Sequence, residues 1–186
     1  MFCHSIFSYF SKELKNLTGN YLEIGVFNGD SIAGLAKQYP NKTIVGIDPF
    51  LEDGYTSCHT SKSTGEHLDV QKTSTKQYIN GINNIKFYEM TSEKFSEMLT
   101  DELVNELNIS GVLIDGDHHY KHVRIDALLA LRLIGNKQGH IAFDDITLKD
   151  IVQVICEFRD MVKDRIDREF HIGDNQYIFV LKEINE

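Results

Sequence analysis

Cysteine, proline and basic residues are scarce in this chain, and long apolar runs are missing. Its three cysteines, Cys3, Cys58 and Cys156, are odd in number and widely spaced. They predict neither a disulfide framework nor a zinc knuckle, and they favour a reducing, cytoplasmic setting. The 19 basic residues are outnumbered by 28 acidic ones, which gives a net charge of -9. A nucleic-acid substrate is therefore disfavoured, because a negative surface repels phosphate backbones.

No apolar run approaches the length needed to cross a bilayer, and the first residues have neither a basic region nor a long apolar core. We therefore expect no signal peptide and no membrane partner. The 186 residues suit one domain with a sizeable core. We predict a single domain over residues 1–186, with a lead-in helix inside residues 1–18.

Short apolar segments alternate with helical ones along the chain. The predicted strands lie at 21–26, 43–47, 85–88, 109–114, 140–143, 166–172 and 176–182. Helices between the first five strands imply a mostly parallel sheet that is covered on both faces. The last two strands are joined by Gly173-Asp174-Asn175, which predicts an antiparallel hairpin. The expected fold is α/β, a Rossmann-like, doubly wound sheet of seven strands.

The first predicted strand ends in a turn that contains two glycines, Gly25-Val26-Phe27-Asn28-Gly29, and a helix follows. Glycines let the backbone turn tightly and approach a ligand, and the helix N-terminus offers free N–H groups. Asp30 or Ser31 is expected to cap this helix. The second strand ends at Asp48, which can accept hydrogen bonds from ribose hydroxyls. The arrangement is typical of a nucleotide-binding sheet.

Four carboxylates follow two neighbouring strands. The strand at 109–114 ends in Asp115-Gly116-Asp117-His118-His119-Tyr120, and the strand at 140–143 ends in Asp144-Asp145. The carboxyl ends of parallel strands open into the ligand-binding crevice, so we expect chemistry at this edge. An unpaired carboxylate at the end of a buried strand is costly, and Asp115 therefore needs a metal, a base or a hydrogen-bond network. Asp144-Asp145 could instead cap the following helix.

The segment 51–76 is rich in Ser, Thr, Gly, Lys and His and poor in apolar residues. It is predicted to be a lid or substrate-selecting loop over the crevice. The alternative is a solvated loop with one surface helix near residues 66–79. Both interpretations remain open at this point.

The segment Glu23-Ile24-Gly25-Val26-Phe27-Asn28-Gly29 follows an acidic-x-Gly-x-Gly-x-Gly pattern, with Phe27 in place of the middle glycine. This pattern resembles the first motif of class I S-adenosylmethionine-dependent methyltransferases. With the two acidic strand ends, the chain is similar to their small-molecule O-methyltransferase branch, which includes macrocin O-methyltransferase-like and cephalosporin-hydroxylase-like proteins of the methyltransferase domain 24 type. The resemblance runs over residues 21–182. It implies methyl transfer from S-adenosylmethionine to a hydroxyl of a small molecule, such as a sugar or a metabolite.

The resemblance also implies which residues bind the cofactor. The implied set is Glu23, Gly25, Phe27, Asn28, Gly29, Ser31, Asp48, Ser92 and Asp115. In this interpretation Glu23 lies near the ammonium end of S-adenosylmethionine. Asp48 holds the ribose hydroxyls, and Ser92 lies beside the adenine.

By the same resemblance, Asp115, Asp144 and Asp145 would hold a divalent metal. A dication bound by carboxylates lowers the pKa of a coordinated hydroxyl, and three aspartates suit Mg²⁺ better than zinc. Asp117, or His118 in its place, would then take the proton.

Two other functions remain open. A nicotinamide-dependent oxidoreductase shares the strand–turn–helix opening, and a catalytically inactive cofactor-binding module would share the fold. A nucleic-acid methyltransferase is disfavoured because its Asn- or Asp-Pro-Pro-aromatic motif is absent; the two prolines are Pro40 and Pro49. The expected partner is a small-molecule acceptor, and a homodimer is a further expectation.

Overall fold

The computed structural model describes residues 5–50 and 65–184. The strands are β1 (Asn20–Ile24), β2 (Ile44–Ile47), β3 (Ile85–Tyr88), β4 (Ile109–Ile114), β5 (Gly139–Phe143), β6 (Ile166–Ile172) and β7 (Gln176–Leu181). The helices are α1 (Ser5–Glu13), α2 (Asp30–Gln38), α3 (Gly65–Ile79), α4 (Ser92–Met98), α5 (Asp101–Leu107), α6 (Tyr120–Ile134) and α7 (Lys149–Val162). Among the described residues, no helix is both long and apolar enough to span a membrane.

The seven strands form one sheet in the order β3-β2-β1-β4-β5-β7-β6. Strands β1 to β5 are parallel, and β7 pairs antiparallel with both β5 and β6. The predicted Rossmann-like fold with a C-terminal hairpin is confirmed. The chain order reverses between β1 and β4, and the ends of these two strands are where an open sheet of this kind forms its ligand crevice.

Each face of the sheet has its own apolar cluster. One cluster includes Phe95 of α4, Leu133 of α6 and Phe158 of α7. The other includes Phe10 of α1 and Leu35 of α2. All six residues of β4 are buried, because helices cover both faces of the sheet, and this explains the uninterrupted apolar run in its sequence. The sheet is therefore a rigid support for the polar residues that follow β4.

The cap predicted for α2 is wrong. Gly29 occupies the N-cap position and makes no side-chain hydrogen bond there. Asp30 is the first residue of the helix, and the Ser31 hydroxyl donates to Glu23 instead. The physical reason is that an N-cap side chain accepts a helix N–H from the position just before the helix, whereas Asp30 and Ser31 already lie inside it.

Helix α7 is not capped by the acidic pair that follows β5. Its N-cap residue is Leu148, three residues after Asp145. The carboxylates of Asp144 and Asp145 are thus not used as helix caps. The helix-cap interpretation of this acidic pair is therefore wrong, and its binding role stays a prediction.

The segment 51–76 lies partly outside the described residues, since the structure describes nothing between 51 and 64. Its remaining part belongs to α3, which begins at Gly65. The role of residues 51–64 as a lid stays a prediction.

Candidate functional site

The turn between β1 and α2 contains three residues in the left-handed conformation. Gly25, Phe27 and Gly29 have φ angles of 86°, 54° and 82°. Phe27 thus adopts a left-handed conformation that favours glycine, and a bulky side chain is strained there. Its ring is 61% exposed, so packing does not compensate the strain. Strain of this kind is characteristic of functional sites.

Two side chains hold this turn in place. Asp48 Oδ2 accepts hydrogen bonds from the backbone N–H groups of Val26 at 2.9 Å and Phe27 at 3.1 Å. The Thr75 hydroxyl of α3 donates to the Phe27 carbonyl oxygen at 2.8 Å. Asp48 Oδ1 accepts from the N–H of Phe50 at 2.9 Å. Burial raises the Asp48 pKa, and the three N–H donors counteract that rise. Asp48 therefore shapes the turn, and its contact with a ribose stays a prediction.

Glu23 lies in the buried part of β1, with 3% of its surface exposed. Its carboxylate accepts hydrogen bonds from the hydroxyls of Tyr21, at 3.1 Å, and Ser31. Burial raises the Glu23 pKa to about 7, although both hydroxyls act to lower it. A cation beside this carboxylate would favour its ionised form. The site predicted for the ammonium group of the cofactor thus carries an acid that can ionise near neutral pH.

Asp126, which sequence reasoning missed, connects α6 to the start of α4. Its side chain is 1% exposed and accepts a hydrogen bond from the Ser92 hydroxyl. Burial raises the Asp126 pKa to about 7, against the effects of Ser92 and the nearby charge of His122. A Cβ atom on Gly116 would lie 3.4 Å from Asp126 Oδ2, so this acid lies next to the turn that follows β4. The sequence feature that could have identified Asp126 is the presence of an aspartate within the apolar face of α6.

The end of β4 is tied to β1 through Asp115. The Asp115 N–H donates to the Ile24 carbonyl oxygen at 2.9 Å, which extends the pairing of the two strands by one residue. Burial raises the Asp115 pKa well above its usual range, and the negative charges of Asp144, Glu23 and Asp145 raise it further. Asp115 therefore lies close enough to Asp144 and Asp145 for their charges to act on it.

Three side chains at these strand ends could hold a metal ion together. Asp115, His118 and Asp145 each offer one donor atom, and these atoms lie within 4.8 Å of one another. His118 Nε2 is 3.1 Å from Asp145 Oδ2. No other group of three or more such side chains is this close within residues 5–50 and 65–184. Carboxylate oxygens and an imidazole nitrogen are suitable ligands for a divalent cation, so the donor set fits a metal.

Asp145 and Asp144 differ in their surroundings. Asp145 has a φ angle of 55°, and its Oδ1 accepts a hydrogen bond from the Asn175 amide. Asp144 is buried; its Oδ1 accepts from the Asp145 N–H at 2.8 Å, and its Oδ2 accepts from the Gln176 amide at 3.3 Å. The structure thus brings Asp115 and Asp145 together and adds His118 to them. A direct metal bond from Asp144 stays a prediction.

Asp117 lies in a cluster with two histidines. Its side chain is 6% exposed. Oδ1 accepts the His119 N–H at 2.9 Å and lies 2.5 Å from His119 Nδ1, whereas Oδ2 contacts His122 Nδ1. The His119 side chain is 59% exposed. The predicted general base is thus covered by imidazoles, and its role in proton transfer stays a prediction.

Tyr120, the first residue of α6, contacts α7 through both its backbone and its side chain. Its N–H donates to Asp150 Oδ2 at 2.9 Å, and its hydroxyl donates to the Glu157 carboxylate at 3.0 Å and 2.8 Å. Asp150 therefore stabilises the N-terminus of α6, where a negative charge is favourable. These contacts fix the helix that follows the acidic turn.

The Methyltransf_24 family model, described as a methyltransferase domain, matches residues 22–146. This range contains the glycine turn, Asp48 and both acidic strand ends. Among curated proteins, "Uncharacterized protein R132" of Acanthamoeba polyphaga mimivirus is 33% identical over 127 residues, which are 67% of this chain and 50% of that protein. The chain therefore spans about half the length of the curated relative it matches.

Solved structures with a similar fold include O-methyltransferases. The O-methyltransferase NovP has a TM-score of 0.69 at 12% identity, over 96% of this chain and 80% of that one. The calicheamicin methyltransferase CalS11 has a TM-score of 0.65 at 12% identity, over 94% of this chain and 77% of that one. Both likenesses show the fold, which is that of class I methyltransferases.

Proposed function

The chain belongs to the Methyltransf_24 family of methyltransferase domains, and we propose that it transfers a methyl group from S-adenosylmethionine to a hydroxyl of a small molecule. The observation that carries the proposal is the β1–α2 turn, in which Phe27 keeps the left-handed conformation of a glycine. Asp48 and Thr75 maintain that conformation. A strained turn that is held at two points and has an exposed ring is suited to a bound cofactor.

Different residues around the turn would bind different parts of the cofactor. S-adenosylmethionine supplies an electrophilic methyl group on a sulfonium. The Glu23 carboxylate would bind its ammonium end, Asp48 the ribose hydroxyls, and Ser92 the edge of the adenine. Positioning of this kind lets the acceptor oxygen approach the methyl group in line, which is a large part of the rate enhancement.

The residues that follow β4 and β5 would activate the acceptor hydroxyl. A divalent cation held by Asp115 and Asp145 would lower the pKa of a hydroxyl bound to it. Carboxylates aimed at one cation also suit an acceptor with two neighbouring oxygens, such as a diol or a sugar. CalS11 and NovP share this fold, but their names describe those proteins; a sugar or metabolite acceptor for this chain is our inference. Asp117 or His118 would receive the acceptor proton.

Calorimetric titration of the full chain with S-adenosylmethionine and S-adenosylhomocysteine tests the proposal. Both should bind, and Asp48→Asn should weaken them by about tenfold or more, because a charged hydrogen-bond acceptor is lost. Asp101→Asn, on the exposed start of α5, is the matched control and should bind as the wild type does. Mass spectrometry of sugars and diols incubated with the chain and S-adenosylmethionine should then detect a gain of one methyl group on the acceptor and release of S-adenosylhomocysteine.

The competing functions predict different results. A nicotinamide-dependent oxidoreductase would be stabilised against heat by NADH and not by S-adenosylmethionine. A catalytically inactive module would bind the cofactor and methylate none of the acceptors. Absence of binding by both S-adenosylmethionine and its demethylated product would refute the proposed function.

A further inference from the structure

The three side chains that could hold a metal come from two adjacent strand ends. Strands β4 and β5 pair in parallel, with Ile114 opposite Phe143, so the residues that follow each strand are neighbours. Asp115 and Asp145 extend from these ends, and His118 lies three residues after Asp115 in the turn before α6. The site is therefore placed by the sheet rather than by a single surface loop.

The distances between the donor atoms suit one shared cation. Ligand atoms on a cation with bonds of about 2.1 Å lie roughly 3 Å apart when adjacent and about 4.2 Å apart when opposite. His118 Nε2 and Asp145 Oδ2 are 3.1 Å apart, and all three donors lie within 4.8 Å of one another. A cation could bind here with only small side-chain movements.

The orientation of Asp145 directs one oxygen towards the histidine. Its backbone is in the left-handed conformation, and the Asn175 amide binds Oδ1. The other oxygen, Oδ2, is the one near His118. Asp144, in contrast, is buried with its two oxygens accepting from the Asp145 N–H and from Gln176. His118 is therefore better placed than Asp144 to be the third ligand.

An imidazole changes which cation the site prefers. Mg²⁺ binds oxygen ligands and keeps several waters, whereas first-row transition dications bind sites that mix nitrogen and oxygen ligands, with an affinity that is lowest for Mn²⁺ and rises through Fe²⁺ and Ni²⁺. We propose that Asp115, His118 and Asp145 form a site that prefers a first-row transition dication such as Mn²⁺ to Mg²⁺, with His118 as the residue that discriminates. The inference rests on the proposed function, because it identifies the cation that would serve the same acceptor site.

Metal titrations of the chelator-stripped full chain, without cofactor, test this site. Wild type should bind Mn²⁺ at least about tenfold more tightly than Mg²⁺, and His118→Gln should weaken Mn²⁺ by about tenfold or more while changing Mg²⁺ by less than about threefold. His171→Gln, on the edge strand β6 and outside the group of three donors, is the matched control and should keep the wild-type preference. Equal affinity of the wild type for the two cations would overturn the proposal.

A spectroscopic measurement on the wild type avoids any dependence on how well a variant folds. Pulsed electron paramagnetic resonance of bound Mn²⁺ should detect coupling to an imidazole nitrogen, and the absence of that coupling would overturn the proposal. The three-aspartate set would replace it if Asp144→Asn abolished Mn²⁺ binding and His118→Gln did not.

The outcomes for the metal and for the proposed function are separate. A chain that binds S-adenosylmethionine but shows no preference for Mn²⁺ refutes only the metal inference. A chain that prefers Mn²⁺ through His118 but binds neither S-adenosylmethionine nor S-adenosylhomocysteine refutes only methyl transfer.

Discussion

Gly25 lies so close to Asp115 that a methyl group on its α-carbon would be 2.0 Å from the Asp115 carbonyl oxygen. The two residues continue β1 and β4, which are neighbours in the sheet. The glycine turn and the acidic strand end are thus in direct contact. A change in the turn should therefore disturb both the proposed cofactor site and the proposed metal site.

Gly25→Ala should destabilise the chain more than an ordinary substitution at a left-handed glycine. The left-handed conformation alone costs an alanine about 1–2 kcal/mol, and the contact with Asp115 adds to it. Gly81→Ala is the matched control, because Gly81 also has a positive φ angle, 75°, but a methyl group on its α-carbon would have nothing within 4 Å. Denaturant unfolding should show a larger loss for Gly25→Ala by about 1 kcal/mol or more. Equal losses would contradict the close contact.

Substitutions of Phe27 should separate backbone strain from the effect of the ring. Phe27→Gly and Phe27→Ala both remove the exposed ring, but only glycine is unstrained at a φ angle of 54°. Part of this advantage is lost, because glycine loses more backbone conformational entropy on folding than alanine does, which costs about 0.5–1 kcal/mol. Phe27→Gly should still be the more stable variant, by up to about 1 kcal/mol in denaturant unfolding. If the ring covers the cofactor, both variants should lose affinity for S-adenosylmethionine equally.

The sequence was sufficient for the sheet but not for the orientation of side chains at its edge. Apolar runs such as 109–114 marked the buried strands, because a strand covered on both faces excludes polar residues. The convergence of Asp115 and Asp145 followed from the parallel strand order. The proximity of His118 to Asp145 could not be predicted, since it depends on the turn before α6 and on the left-handed backbone of Asp145.

Contacts between residues that are far apart in the sequence could not be predicted from sequence patterns either. Thr75 contacts the turn from 48 positions away, and Asp126 binds Ser92 across two helices. The Ser31 hydroxyl donates to Glu23 instead of capping α2, because the packing of α2 against β1 brings the two side chains together. Each of these contacts is decided by tertiary packing. The sequence marks Asp126 as an aspartate within the apolar face of α6, but it does not identify Ser92 as its partner.

Glu23→Gln should change how stability depends on pH. Burial raises the Glu23 pKa from 4.5 to about 7 in the folded chain. Between these two pH values the folded state keeps a proton that the unfolded state has released. The stabilisation is complete below pH 4.5 and is lost as the pH rises through 7. Over that range the wild type should lose up to about 3 kcal/mol more of its free energy of unfolding than Glu23→Gln does. Urea unfolding at several pH values measures the difference, and parallel curves for the two proteins would contradict the raised pKa.

Thr75→Val should loosen the turn without changing the shape of the side chain. The Thr75 hydroxyl donates to the Phe27 carbonyl oxygen at 2.8 Å, and valine cannot. This hydrogen bond is part-buried, so its loss should lower the free energy of unfolding by about 0.5–1.5 kcal/mol. Thr73→Val, at an exposed position of the same helix, is the matched control for helix propensity and should change stability by less than about 0.5 kcal/mol. Because Phe27 lies in the proposed cofactor turn, affinity for S-adenosylmethionine should fall in Thr75→Val and not in Thr73→Val. Loss of stability with unchanged cofactor affinity would show that Thr75 supports the fold alone.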